Sequence, residues 1–302
     1  MASDNYLPDV LETTEAKRLA TGHIFTEGPL WHPDDFWYYV DIRRNQLLRL
    51  KEGGTPEVVR TTVGGNGTTF DLQGRLINCE GEARRVTRQN LDGSVEVLVD
   101  RNKGRRLNKP NDVICHTNGS LFFTDPDKRL PYHEREVPGR EGENELWDGT
   151  GVYRLTPTGE LTLVALCEYA NGLAFSPDER TLYVANTRSS KYIHAIKLDG
   201  AGNMVGRSIF ADLNDDLGPG IPDGLKVDQA GRVYCTGPGG IWVMEPDGKR
   251  VGIIKWPEQA VNMAFGGPDL KTLFCCAHTS VYTLRVKVPG QPVPWYKARG
   301  KA

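Results

Sequence analysis

A sixfold repeat is the feature of this sequence that most constrains its fold. Each unit contains a short apolar run, a turn and a second apolar run. The second runs read FWYYVD from Phe36, RLINCE from Arg75, SLFFTD from Ser120, TLYVAN from Thr181, RVYCTG from Arg232 and TLFCCA from Thr272. Successive runs are 39 to 61 residues apart, and a propeller blade typically repeats every ~40 to 50 residues. The repeat therefore predicts an all-β fold, a six-bladed β-propeller of four-stranded blades, with residues 1–302 forming a single domain.

One polar stretch, residues 126–150, lengthens the interval between the third and fourth units. We expect it to be a loop insertion or lid over the channel mouth. Tyr132, His133 and Trp147 would then shape specificity, and an exposed loop without substrate contact is the alternative. Asp125, immediately before this stretch, could face the site or cap the turn that follows.

Composition excludes several functional classes. The chain has 302 residues and a formal net charge of -2, and its Lys and Arg residues are scattered, so we expect no nucleic-acid partner. No apolar run approaches the roughly 18 residues of a membrane span, and the N-terminus does not resemble a signal peptide. Six cysteines without C-x-x-C spacing are typical of buried, reduced thiols. These features predict a cytoplasmic protein, and they leave its oligomeric state open.

Five of the six units have a polar residue at the first position of the first apolar run, four residues before its fifth residue. In chain order the position holds Glu27, Asn66, Asn111, Asn171, Asp223 and Val261. A single Asn-Gly or Asp-Gly usually marks a turn, but equivalent positions of a propeller form a ring around its axis. Two carboxylates in such a ring repel each other unless a cation lies between them. Oxygen ligands suit Ca²⁺, Mg²⁺ or Mn²⁺, so the ring predicts a divalent metal site.

Several ordered motifs resemble the SMP-30/gluconolactonase/luciferin-regenerating-enzyme family, and in particular its bacterial sugar lactonases. They are EGPLWHPDDFWYYVD, NKPNDV, FTDP, GVYRL, NGLAFSPDERTLYVANT, IPDGLKVDQAGRVYCTG and NMAFGGPDLKTLF. The resemblance covers nearly the whole chain and implies the same six-bladed fold. It also implies a metal-dependent hydrolase that opens a sugar lactone, of the gluconolactone or aldonolactone type, to the aldonic acid.

The resemblance implies a set of metal ligands. The family's Glu in EGP, Asn in NGL and Asp in PDG correspond to Glu27, Asn171 and Asp223. A further Asn, at the metal or its bound water, corresponds to Asn111. The implied cofactor is one divalent cation, with Ca²⁺ expected first and Mg²⁺, Mn²⁺, Zn²⁺ or Fe²⁺ as alternatives.

Substrate contacts are also implied. The family has an Arg two residues before the Asn of the N-D motif, where this chain has Lys109. Lysine donates from one point and arginine from a planar fork, so recognition of the sugar hydroxyls is expected to differ. Asn111, Asp112 and Asn66 complete the residues expected to face a small-molecule lactone.

The chemistry follows from the metal and one acidic residue. A cation polarises the lactone carbonyl and stabilises the negative charge that develops on its oxygen. The resemblance gives Asp223 both a ligand and a proton-accepting role in the attack by water. Hydroxide generated on the metal, with Asp223 purely a ligand, is the alternative. The sequence contains neither a G-x-S-x-G elbow nor an H-E-x-x-H zinc motif.

Three other functions remain open at this point. A phosphotriesterase-type or other ester hydrolase could use the same ring, since the ring does not distinguish carbonyl from phosphoryl substrates. A non-enzymatic metal-binding propeller and an enzyme of the strictosidine-synthase kind are the other two.

Overall fold

A computed structural model describes residues 6–126, 150–188, 190–215 and 217–298 of the chain. Its strands form six four-stranded antiparallel sheets. The innermost strand of each sheet contacts the innermost strand of the next, and the sixth contacts the first. The prediction of a six-bladed β-propeller is therefore confirmed. Tyr132, His133 and Trp147 of the predicted loop lie outside the described residues.

The strands follow one another blade by blade. Strand β1 (Lys17–Thr21) precedes the first blade, which contains β2 (Thr26–His32), β3 (Phe36–Asp41), β4 (Gln46–Leu50) and β5 (Glu57–Thr61). A 3₁₀ turn, Ile42–Arg44, lies between β3 and β4. The second blade contains β6 (Gly65–Phe70), β7 (Leu76–Glu80), β8 (Arg85–Gln89) and β9 (Val95–Val99), followed by a short hairpin of β10 (Arg101–Asn102) and β11 (Arg105–Arg106). The third contains β12 (Val113–Cys115), β13 (Leu121–Asp125), β14 (Gly151–Leu155) and β15 (Leu161–Leu166).

The second half of the chain repeats this arrangement. The fourth blade contains β16 (Ala170–Phe175), β17 (Thr181–Asn186), β18 (Tyr192–Leu198) and β19 (Met204–Asp212). The fifth contains β20 (Leu225–Val227), β21 (Val233–Gly237), β22 (Gly240–Met244) and β23 (Arg250–Ile254). The sixth contains β24 (Asn262–Gly266), β25 (Thr272–Ala277) and β26 (Ser280–Arg285), and it is followed by the short helix α1 (Pro294–Ala298).

The sixth blade is completed by the N-terminal strand. β1 pairs antiparallel with β26, with Arg18 opposite Tyr282. The N-terminal strand and the last strands therefore share one sheet and close the ring. Ring closure leaves the inner strands with partners on both sides.

The core lies between neighbouring blades. Inner strands such as β6 are buried along their whole length, whereas the outermost β9 is largely exposed. Aromatic side chains bridge adjacent blades: Trp37 stacks on Phe274 with ring centroids 4.5 Å apart. Burial of such rings from both sides stabilises each blade against the next.

Two sequence expectations about the cysteines and the membrane can be compared with the structure. All six cysteines lie in the described part of the chain, and each is buried with a free thiol. Among the described residues, no helix is long and apolar enough to cross a bilayer.

Candidate metal centre

The recurring polar residues lie where the inner strands are irregular. Strand pairing is interrupted between Glu27 and Leu30 in the first blade. The second and fourth blades have the same interruption, around the Asn-Gly pairs that contain Asn66 and Asn171. A β-bulge adds one residue to a strand and changes the direction of its side chain. In these three blades the polar-Gly pairs therefore lie at a bulge at the start of the inner strand.

The glycines of these pairs let the blades approach one another. Four of them lie against the next blade: Gly28 against Asn66, Gly67 against Asn111, Gly172 against Asp223 and Gly224 against Asn262. At Gly67, an added methyl group would lie 2.8 Å from the carbonyl oxygen of Asn111, and the Gly67 amide donates to that oxygen at 2.8 Å. Side chains at these positions would separate the blades, so glycine is required for the polar residues to gather around the axis.

Two blades have no glycine at this position and use a polar side chain in its place. In the third blade this residue is Asp112, whose Oδ1 accepts from the Val113 amide at 2.9 Å. In the sixth blade it is Asn262, whose Nδ2 donates to Glu27 Oε2 at 2.7 Å. The second contact joins the last blade to the first. The Asp112 carboxylate also accepts from the backbone of Leu173 in the fourth blade, so contacts between neighbouring blades form a complete ring.

Asn262 is a ring residue that the repeat alignment did not single out, because it lies one position after Val261. The amides of Gly172 and Gly224 donate to the carbonyl groups of Asp223 and Val261, so Val261 does occupy the sixth position of the alignment. Asn262 takes the place of the glycine that follows the polar residue in four other blades. A polar residue in that place, as in the third blade, is the sequence signal for it.

Glu27 is the most deeply buried acidic residue of the ring, with 2% of its surface exposed. Its Oε2 accepts from the Gly28 amide at 2.5 Å and from Asn262. Burial, followed by the nearby Asp112 carboxylate, raises the pKa of Glu27 to about 7. Its ionised form therefore needs a cation to balance it.

Asp112 lies next to this carboxylate and is also buried. Burial raises its pKa, against the opposing effect of the Lys226 ammonium. Lys226 Nζ is 3.7 Å from Asp112 Oδ2, which has no hydrogen-bond partner among the described residues. Two acidic groups of the ring thus share one ammonium.

The neighbouring side chains orient Asn171, and a backbone contact holds Asp223. Asn171 Nδ2 donates to Thr187 Oγ1 at 3.0 Å, so Oδ1 is the atom it can offer to a cation. The amide of Asp223 donates to Thr236 Oγ1 at 3.0 Å, and the Asp223 carbonyl accepts from Gly172. Asp223 is half-buried and is the least enclosed residue of the predicted ligand set.

The donor set fits a hard divalent cation. No three His, Cys, Asp or Glu side chains converge in the described residues, so any ligand set must mix carboxylates with amide oxygens. The buried Oδ1 of Asn66 has no hydrogen-bond partner there, like Oδ2 of Asp112. Buried oxygen acceptors beside a carboxylate of raised pKa are the chemistry that Ca²⁺ and Mg²⁺ bind.

Lys109 precedes Asn111 by two residues and forms an ion pair with Glu82. The amides of Asn108 and Lys109 donate to the Asp125 carboxylate at 2.8 and 2.7 Å. The Asp125 carboxylate therefore caps the backbone that leads into Asn111, and the two roles considered for it from the sequence stay predictions. The proposed contact of Lys109 with substrate stays a prediction.

A cavity of about 120 Å³ lies along the channel beyond the polar ring. Its walls extend to Trp31 and Phe175, four residues beyond Glu27 and Asn171 on the same strands. Four residues of strand span about 13 Å. Residues 291–294 and Tyr296, near the C-terminus, line the same cavity. The cavity begins next to the ring, because residues 29 and 68, two positions beyond the ring residues of their strands, also line it, and Lys226 is part of its wall.

Comparisons with known proteins agree with this architecture. Residues 25–279 match the model of the SMP-30/gluconolactonase/LRE-like family. A gluconolactonase of Zymomonas mobilis is 31% identical over 92% of this chain and 83% of its own length. A pentonolactonase of Haloferax volcanii is 29% identical over 82% of this chain and 79% of its own length. The solved structure of a gluconolactonase from Xanthomonas campestris is 34% identical, covers 94% of this chain and 93% of that chain, and superposes with a TM-score of 0.83. The chain thus belongs to the SMP-30/gluconolactonase/LRE-like family.

Proposed function

We propose that this protein is a metal-dependent lactonase that opens sugar lactones of the gluconolactone or aldonolactone type. The observation that carries the proposal is the closed ring of contacts around Glu27, a buried carboxylate that accepts from Asn262 and lies near the Asp112 carboxylate. The gluconolactonases and the pentonolactonase among its relatives support a sugar lactone as substrate.

Four residues would hold the cation. Glu27 and Asp223 would supply negative charge, and the Oδ1 atoms of Asn171 and Asn111 would supply neutral oxygen ligands. When bound, a divalent cation polarises the lactone carbonyl and stabilises the charge that develops on its oxygen. Ca²⁺ is the first candidate because the donors are all oxygen atoms.

Asp223 is proposed as the proton acceptor. Its backbone is held on both sides, by Thr236 and Gly172, while its side chain is only half-buried. A water molecule attacks the carbonyl carbon and transfers a proton to the Asp223 carboxylate. The ring C–O bond then breaks, and that proton passes to the leaving alkoxide oxygen. The product is the open-chain hydroxy acid.

Substrate orientation is assigned to residues beside the ligands. Lys109 would donate to ring hydroxyls, with Glu82 restricting the position of its ammonium. Asn66 has a buried Oδ1 without a hydrogen-bond partner in the described residues, and it could accept from a hydroxyl. Asp112 would be a further contact for the substrate hydroxyls.

The test is titration of acid release from a panel of aldonolactones, with the protein as purified, after EDTA, and after add-back of Ca²⁺, Mg²⁺, Mn²⁺ or Zn²⁺. We expect turnover that EDTA abolishes and one metal restores. A parallel panel of phosphotriesters distinguishes the carbonyl from the phosphoryl alternative. Turnover of neither class by the metal-saturated protein would leave a non-enzymatic metal-binding propeller as the better interpretation.

A further inference from the structure

Lys226 occupies an unusual position in the channel. It lies on β20, between the buried Leu225 and Val227, and its Nζ donates to the Leu225 carbonyl at 2.9 Å. Lys226 is the fourth residue of the first apolar run of its unit. The corresponding residues of the other five inner strands line the same cavity, and they are Leu30, Thr69, Ile114, Ala174 and Ala264. Lys226 is therefore the one charged member of this layer.

Its charge faces the carboxylates of the ring. The ammonium is 3.7 Å from Asp112 Oδ2, and its positive charge also acts on the buried Glu27 carboxylate. Lys226 is thus electrostatically coupled to Glu27 and Asp112, and it lies three residues from Asp223.

The ionised side chains of this group have a net charge that matches one divalent cation. Glu27, Asp112 and Asp223 contribute three negative charges and Lys226 contributes one positive charge, so two negative charges remain. That is the charge which a single divalent cation neutralises. Burying an ammonium is costly unless it is paired. The other five inner strands have Leu, Thr, Ile or Ala at this position, so packing alone does not require a lysine.

We propose that Lys226 is a built-in counter-cation of the carboxylate ring, positioned so that one divalent ion, and not two, completes its neutralisation. The proposal rests on the proposed metal site. It makes Lys226 a positioning residue, which acts on the metal through Asp112 and Glu27 and does not touch the substrate.

The test compares charge variants by calorimetric Ca²⁺ titration at pH 8 and low ionic strength. Lys226→Met keeps the length of the side chain and removes its charge. Because a repelling charge is lost, we expect its Kd for Ca²⁺ to fall by about tenfold. Lys226→Arg should keep the wild-type Kd. Lys297→Met is the matched control, since Lys297 lines the same cavity but is exposed on α1.

Thermal unfolding in EDTA gives a second readout that needs no metal. Lys226→Met should unfold at a lower temperature than Lys297→Met, because its carboxylates are unopposed. The double variant Lys226→Met/Asp112→Asn should recover part of that loss, since it removes one charge of each sign. Equal Kd values and equal unfolding temperatures for Lys226→Met and Lys297→Met would overturn the inference, as would a double variant that recovers nothing. If the wild-type protein binds no divalent ion, the proposed function fails, and unfolding in EDTA alone decides the role of Lys226.

Discussion

Asn262 Nδ2 donates to Glu27 Oε2 at 2.7 Å, across 235 residues of sequence. This hydrogen bond joins the first residue of β24 to the inner strand of the first blade. Both groups are almost completely buried, so no solvent replaces the bond when it is lost. It therefore positions one oxygen of Glu27 and favours its ionised form.

Asn262→Ala should weaken both the fold and the metal site. A hydrogen bond to a buried charged group contributes about 1.5–3 kcal/mol, and its loss should lower the free energy of unfolding by a similar amount. The pKa of Glu27 should rise further, so Ca²⁺ affinity at pH 7 should decrease. Urea unfolding and calorimetric titration measure the two effects. Asn203→Ala, at an exposed turn, is the control.

Asp223→Asn separates the two roles given to this residue. Asparagine keeps an oxygen for the cation but cannot take the proton, so we expect retained, weaker metal binding and a kcat reduced by roughly 10² or more. Asp223→Ala should lose tight binding as well. Metal content by mass spectrometry and kcat under metal saturation check this. A near wild-type kcat for Asp223→Asn would transfer the proton-accepting role away from Asp223.

Lys109→Ala should affect substrate binding more than chemistry. Since Lys109 is proposed to orient hydroxyls, we expect a raised KM or a changed preference among lactones, with metal content unchanged. Glu82→Gln removes the ion-pair partner of Lys109 and leaves the charge of Lys109 unchanged, so it should produce a smaller change in the same direction. Initial rates over a lactone panel decide, and a fall in kcat alone would contradict this assignment.

The metal-free protein should lose stability as the pH rises. The pKa of Glu27 is raised from 4.5 to about 7, so the folded state binds a proton more tightly than the unfolded state. The free energy of unfolding should therefore decrease between pH 4.5 and pH 7, by about 3 kcal/mol in total. Ca²⁺ should oppose this loss and bind more tightly as the pH rises. Unfolding in EDTA at pH 5 and pH 8 tests the sign, and Glu27→Gln should flatten the dependence.

Gly67→Ala should separate the second and third blades. The added methyl group would lie 2.5 Å from Asp112 Cα and 2.8 Å from the Asn111 carbonyl oxygen, and neither backbone atom can move alone. We expect a loss of about 1–3 kcal/mol, the usual cost of overpacking, and weaker Ca²⁺ binding. Gly200→Ala is the control, because nothing lies within 4 Å of a methyl group there.

The repeat was sufficient to predict the blades because strand pairing imposes one period on the whole chain. The same period placed Glu27, Asn66 and Asn171 correctly at equivalent positions. It did not single out Asn262, which lies one residue after Val261, where four other blades have glycine. The contact of Asn262 with Glu27 joins strands that are distant in sequence, so a pattern read along one strand does not reveal it.

Lys226 was missed for a different reason. In the sequence it is one lysine in an alternating strand, DGLKV, where lysine usually faces solvent. Only the assembled ring shows that the strand is innermost and that its polar face meets Asp112. The charge balance of the site is thus a property of three blades together.

The pairing of β1 with β26 also sets the order in which the protein can mature. On the ribosome, Lys17–Thr21 appears first and must wait for Ser280–Arg285 before it has a partner. The middle blades can form by local hairpins during synthesis, whereas the sixth needs both ends. Asn262 and Glu27 lie on either side of that last junction. Nascent chains that stall before residue 280 should therefore contain folded blades and still lack a binding site.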